Sequence, residues 1–467
     1  MVGSCLSRAS LRYRTLTANS PCVRVSALQA WNIYSAPGAV LALWVTARFG
    51  LRASLLVGFA SQALCALMAH GSVTLPWPPH NGFALLYASQ LIGAVGQALY
   101  LNNVTLLAGT WFPSSERDIA VAASLLCVAL GSVFISVYAP WAVKEPDELN
   151  RLFGWQVPAW LAILVAGLLV LREQPPHPPS VSAAMLRANA ARRRASRSRA
   201  GDGDGDGTSS WSAVGQALAL CGHVNFMVLN MSSALLTGLV MMLATMVGQV
   251  LAPCGHGNDV AGSALAALSA ASGASVGLYL WLLSRNERRR DASLASSPGG
   301  GPAVSSSRSY VAHQVGWSAL CAGGIALTLG ASPLGTTPGD TAAVIAAWGV
   351  LGLLSGTLLN GALTMEHAAE MTFPLPANVS VSVLAVTGSA ISFAQVIIGT
   401  HLLQAPAVLA CKSATGFAGF CALCAGAGLL LACLLKPEYR RARAETAQGE
   451  DEEGSPRGGE RVSYGTL

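Results

Sequence analysis

Eleven stretches of this chain are long and apolar enough to cross a lipid bilayer, and short polar connectors separate most of them. This succession constrains the fold more than any other feature, because a spanning helix needs about 20 largely apolar residues. The stretches run approximately 25–46, 53–70, 83–109, 119–143, 155–171, 213–250, 260–283, 311–331, 341–365, 376–404 and 415–435. No Asp or Glu occurs before Glu116, and charged residues make up 11% of the chain against 52% hydrophobic ones. Soluble domains carry about 25% charge, so this balance cannot cover a water-facing surface. A soluble enzyme, a nucleic-acid binder and a disulfide-stapled secreted domain are excluded. The expectation is an all-α polytopic membrane protein whose solvent is the bilayer.

The connectors alternate in charge. Taking every second one as cytoplasmic places twenty-one Lys and Arg on that side, against only Lys144, Arg151 and Lys412 on the other. The positive-inside rule then puts the central loop and the C-terminus in the cytoplasm. The stretch 213–250 is long for one helix and reads as one span with a polar-ended extension. Residues 172–212 form the largest internal break: Gln174-Pro175-Pro176-His177-Pro178-Pro179 stops the preceding helix, an Arg/Ser run follows, and then Gly201–Gly207 alternate Gly with Asp. This composition predicts a flexible cytoplasmic linker, and the Gly/Asp tract lacks the distal carboxylate of a calcium loop. The expected organisation is a segment 1–24, a helix bundle 25–171, the linker 172–212, a second bundle 213–435 and a disordered tail 436–467. Gly and Ala within the spans suit close helix packing. Most of the eleven cysteines lie inside spans as small apolar residues.

The N-terminus breaks the alternation. Residues 1–24 carry Arg8, Arg12, Arg14 and Arg24 with no acid, yet fall on the outer side. Three readings stay open: a mis-assigned first exon, a Ser/Arg-rich transit peptide, or a real eleven-helix protein. One more span before residue 25 would give six spans on each side of the linker, the two-bundle plan of a transporter built from repeats.

Several motifs carry a resemblance. Arg48-Phe49-Gly50-Leu51-Arg52, Trp111-Phe112-Pro113 with Arg117, and the stretch from Glu366 through Glu370 to Thr372-Phe373-Pro374 occur in that order. Together they resemble the feline leukaemia virus subgroup C receptor-related transporters, a branch of the major facilitator superfamily. The Pro-Pro-x-Pro-Pro run, Cys254-Gly255-His256 and Pro437-Glu438-Tyr439-Arg440-Arg441 lean towards that family's less-studied third member. The resemblance covers roughly residues 26–440. It implies a two-bundle facilitator fold working by alternating access, with the first visible span matching the family's second helix. It also implies a small-molecule substrate such as a choline- or ethanolamine-like cation, or haem. Gln97 matches the family's helix-four glutamine, while Met241 and Ser389 stand where the family has an aromatic and a second glutamine. An aromatic cage suits a quaternary ammonium; a Met and a Ser make a softer, less cation-selective pocket.

The residues themselves support the same positions. Gln97 lies mid-span and must find a partner in the bundle or in a water-filled cavity. Asn102 and Asn103 read as structural. Glu366 and Glu370, four apart on one helix face, read as a gate network meeting a cytoplasmic Arg such as Arg117 or Arg285. Arg52 belongs to the same network, and the Asp usual beside it in the superfamily is Ala47 here. The ending Tyr464-Gly465-Thr466-Leu467 resembles a clathrin-adaptor sorting signal, with Tyr464 and Leu467 as its anchors. No nucleophile–base pair, metal-spaced cluster or phosphate loop is visible, so the expectation is no enzyme, no cofactor and no metal. The function expected is solute transport across the plasma or an endosomal membrane, the alternative being a non-transporting receptor or scaffold. Epitope tags at Gly205 and Gly458 should bind antibody only after permeabilisation; labelling of either on intact cells would reverse the topology.

Overall fold

The computed structural model describes residues 21–113, 116–143, 148–188, 191, 208–295, 310–331, 341–404 and 415–444. Among them the long elements are all helical, as the unbroken apolar runs require in a medium without water. The N-terminal half holds α1 (Pro21–Phe49), α2 (Leu51–Thr74), α3 (Pro79–Leu101), α4 (Val104–Trp111), α5 (Arg117–Ala142), α6 (Leu149–Gly154) and α7 (Gln156–Val170). After the central break come α8 (Thr208–Leu220), α9 (Val224–Leu251), α10 (Asn258–Ala295), α11 (Tyr310–Ala331), α12 (Thr341–Ser355), α13 (Thr357–Thr372), α14 (Ala377–Leu403) and α15 (Thr415–Cys433).

Local chemistry sets the boundaries. Pro79 opens α3 and Pro376 precedes α14, both positions where a missing N–H costs nothing. Gly50 joins α1 to α2 at φ 91°, in the region that favours glycine, and a Cβ there would strike the Glu173 carboxylate. That carboxylate accepts the N–H groups of Leu51 and Arg52, each at 2.8 Å, and so caps α2.

Packing repeats between the halves. In the first, α3 lies between α1 and α2, and α2 packs on α7. In the second, α12 lies between α10 and α11, and α11 packs on α15. The halves meet where α1 packs on α14 and α5 on α10. Leu236, Met242, Trp348 and Phe417 share the core of the second half; Leu86, Ile135, Leu149 and Phe153 share that of the first. Large apolar side chains also point outward, Leu169 being 81% exposed and Leu423 71%. In water this would be a severe penalty; in lipid it is the expected surface. The chain is a multi-pass integral membrane protein.

Three observations bear on these expectations. Eight described helices are long and apolar enough to cross a bilayer, fewer than the eleven stretches in the sequence. The count covers the described residues, and among them Gly356 at φ 45° divides α12 from α13, leaving 15 residues in α12. The stretch 213–250 is two helices, because the chain turns at Cys221–Gly222 before His223 caps α9 by accepting the Phe226 N–H. Finally, Cys254, between two spans at the end away from Arg117, is disulfide-bonded.

Gly352 lets α12 approach α10 so closely that a Cβ would overlap the Leu268 carbonyl. Gly352→Ala should therefore destabilise the purified protein by about 1–3 kcal/mol, seen as a lower thermal midpoint in detergent. Gly426→Ala, with open space around it, should leave the midpoint unchanged.

Candidate functional site

Two polar groupings join the halves. The first sits within the spans and is neutral. Ser35 on α1 and Ser389 on α14 lie 2.7 Å apart, oxygen to oxygen, and Ser132 on α5 meets Ser269 on α10 at 3.1 Å. Beside Ser35, the Tyr34 hydroxyl is 3.2 Å from that of Tyr87 on α3, with the rings edge to face at 6.2 Å. On the other side, Asn230 of α9 donates to Thr387 of α14 at 2.9 Å. Gln97 is half-buried on α3, and Met241 on α9 is 42% exposed. Hydroxyl and amide pairs between membrane helices contribute only about 0.6 kcal/mol on average, so contacts of this kind can be exchanged for a ligand or opened.

The second grouping is charged and lies at the arginine-rich end. Arg117, buried at the start of α5, donates to Ser180 and to Ser182, the latter at 2.7 Å. Asp118 accepts from the Tyr310 hydroxyl at 3.3 Å. Tyr310 stacks on buried His367 at 5.7 Å and faces Tyr439 at 6.2 Å. Glu366 and Glu370 are both buried on α13. Their partners come from the segment after the last helix: Arg441 pairs with Glu366 at 3.8 Å, and the Ala442 N–H donates to Glu370 at 2.7 Å. Arg441 also lies 3.5 Å from Ser182 of the linker, the same hydroxyl that Arg117 of the first half donates to.

Residues 436–444, counted from the sequence as disordered tail, are thus strapped under the bundle. Asn225 at the start of α9 makes two bonds with the Lys436 backbone, donating at 2.9 Å and accepting at 3.0 Å. Arg440 reaches Glu438 at 2.6 Å and His223 at 3.1 Å. Burial alone would push the Glu438 carboxyl up, but hydrogen bonds from Asn225 and Arg440, with the charges of Arg440 and His223, hold it below its ordinary value.

Of the expected gate residues, Arg117, Glu366 and Glu370 come together and Arg52 does not. Arg52 is exposed, bonding the Leu168 carbonyl at 3.2 Å, and the acid beside it is Glu173, which no pattern in the sequence singled out. The carboxylates meet Arg441 rather than Arg285, whose guanidinium sits 5.2 Å over the Trp281 ring. Asn103 is structural as expected, donating to Thr46, Ser54 and the Leu99 carbonyl. Gln97, Met241 and Ser389 lie on three different helices, and Ser389 is engaged by Ser35. Tyr464 and Leu467 lie outside the described residues.

No family model matches the chain. Solute carrier family 49 member A3 of Danio rerio is 30% identical over 146 residues, which is 30% of this chain and 30% of that protein. The choline/ethanolamine transporter FLVCR2 of Homo sapiens is 30% identical over 145 residues, 29% of this chain and 26% of that protein. The chain spans less than a third of the length of these curated relatives. Over nearly all its length it superimposes on a solved proton:xylose symporter of the major facilitator superfamily, with a TM-score of 0.62, 14% identity, and coverage of 96% and 94% of the two chains. The fold is that of the major facilitator superfamily, two helix bundles facing each other across a polar seam.

Proposed function

We propose that this chain is a transmembrane transporter that carries a small organic solute by alternating access. One observation supports this most: the half-bundles meet through weak neutral pairs inside the membrane and through a buried ionic cluster at one end. The neutral layer can yield to a solute, and the ionic cluster can close the path behind it. In this reading the arginine-rich end is cytoplasmic, and Arg441 is the bolt between Glu366 on the second half and, through the linker hydroxyl of Ser182, Arg117 on the first.

The substrate class proposed is a choline- or ethanolamine-like organic cation. It rests on the partial likeness to the human FLVCR2 transporter and on Tyr34 and Tyr87, since ring faces attract a desolvated cation. Gln97 and Ser389 would contribute hydrogen bonds and Met241 a polarisable wall. Haem has less support, because His367 is fully buried against Tyr310. The protein would work in the plasma or an endosomal membrane, and the Tyr464–Leu467 ending would recruit a clathrin adaptor.

Uptake of radiolabelled choline and ethanolamine into proteoliposomes tests the reading. Gln97→Ala should lower uptake about tenfold with abundance unchanged, the effect of losing roughly 1.4 kcal/mol at the transition state. Equal ligand-induced thermal stabilisation of parent and variant would make Gln97 a packing residue, and no uptake of any small solute by the parent would favour a receptor or scaffold. The gate has its own signature. Removing one partner of a buried pair costs about 3–5 kcal/mol, so Arg441→Ala should open the cytoplasmic end. A cysteine at Leu363, buried between α13 and α5, should then react with maleimide at least about tenfold faster; an unchanged rate would show that Arg441 is not the bolt.

A further inference from the structure

The helix α10 does not stop where its apolar run stops. It holds 38 residues, about 57 Å at the usual rise, and the apolar run within it ends at Leu283. About three more turns follow, carrying Arg285, Arg288, Arg289 and Arg290 with Glu287 and Asp291. Helical geometry sorts these charges. Leu278 and Trp281 are exposed on one face of α10, and Arg285 follows them there, also exposed. At 3.6 residues per turn, positions 278, 281, 285, 288 and 289 fall within about 100° of arc. Both acids fall outside that arc. Val276 and Tyr279 are buried on the far side, where the Tyr279 ring meets His313 of α11 edge on at 6.0 Å.

The order of residues along this face follows bilayer depth. Leu278 belongs to the apolar span, and Trp281 stands near its end, at the level where indole rings gather in membranes. Arg285 comes just after Leu283, the last residue of the run. From Leu283 to Arg289 the axis rises about 9 Å, close to the depth of one headgroup layer, roughly 5–8 Å. The Cα–Cβ bonds of a helix tilt towards its N-terminus, which for α10 is the membrane side. Arg285 follows that tilt: its guanidinium lies 5.2 Å over the Trp281 ring, one turn nearer the bilayer. A guanidinium that stacks on a ring still presents its planar N–H fork to a phosphate.

We infer that the face of α10 marked by Trp281, Arg285, Arg288 and Arg289 docks the headgroup of an anionic phospholipid in the adjoining leaflet. The inference is independent of the solute carried. It rests on the cytoplasmic placement proposed above for this end, because anionic lipids enrich that leaflet and attract basic residues just outside a span. A water-soluble acidic partner could meet the arginines, but not the exposed Leu278 and Trp281 that continue the lipid-facing surface into the same stripe.

Native mass spectrometry of the full chain, purified in detergent and titrated with dioleoylphosphatidylserine or dioleoylphosphatidylcholine, reads the site whichever way the chain lies in a membrane. The parent should retain the serine lipid about tenfold more than the choline lipid, each arginine near the surface contributing about fivefold. Replacing Arg285, Arg288 and Arg289 together by Gln should bring the serine lipid down to the choline level. Arg290→Gln, off the face, should change retention by less than about twofold. Arg285→Gln alone, about fivefold weaker, gives the same answer should the triple variant fail to fold. Equal retention of the two lipids by the parent, or undiminished retention in the Gln variants, overturns the inference. Equal losses from Arg290→Gln and Arg289→Gln also overturn it, since the attraction would then belong to the whole run rather than to one face. Displacement of the serine lipid by an equal concentration of glycerophosphoserine would make this a site for a soluble phosphate and overturn lipid docking.

Discussion

Glu366 and Glu370 are carboxylates buried at the end of a membrane helix, and the arrangement of that end depends on what neutralises them. Two unit charges at the 3.8 Å between Glu366 and Arg441 attract by roughly 4 kcal/mol at an effective dielectric of 20. Desolvation of both groups offsets much of that gain, so the pair contributes specificity more than net stability. Its consequence is geometric. Arg441 can satisfy Glu366 and reach Ser182 only if the segment after α15 lies across the end of the bundle, and Asn225, His223 and Glu438 hold it there.

The neutral layer inside the membrane has the opposite character. Ser35–Ser389 and Ser132–Ser269 join the halves and Tyr34–Tyr87 joins α1 to α3 within the first; the loss of such pairs costs little. A contact meant to open cannot be made from buried ion pairs in the middle of a bilayer, where an unpaired charge costs several kcal/mol. In the proposed transport cycle, ionic closure at the rim and hydroxyl closure within would divide the task between two depths. The likeness to a proton:xylose symporter places the chain in a fold with that two-bundle geometry, and the short likeness to FLVCR2 bears only on which solutes deserve trial.

The apolar runs, read alone, settled that the chain crosses a membrane and is helical, because a bilayer admits no other use for them. The i, i+4 spacing placed Glu366 and Glu370 on one face, and position in the run marked Asn103 as a buried polar group. Hydropathy could not show that 213–250 breaks at Cys221–Gly222, since two adjoining apolar helices and one long one have the same average. Nor could it give partners. Arg441 is seventy-five residues from Glu366, Glu173 is more than a hundred from the α2 N-terminus it caps, and Ser35 and Ser389 are 354 apart. Spacing along one helix is fixed by the backbone, whereas a meeting of distant residues is fixed only by how the two bundles pack. Which distant polar residues meet was therefore decided by the tertiary structure alone.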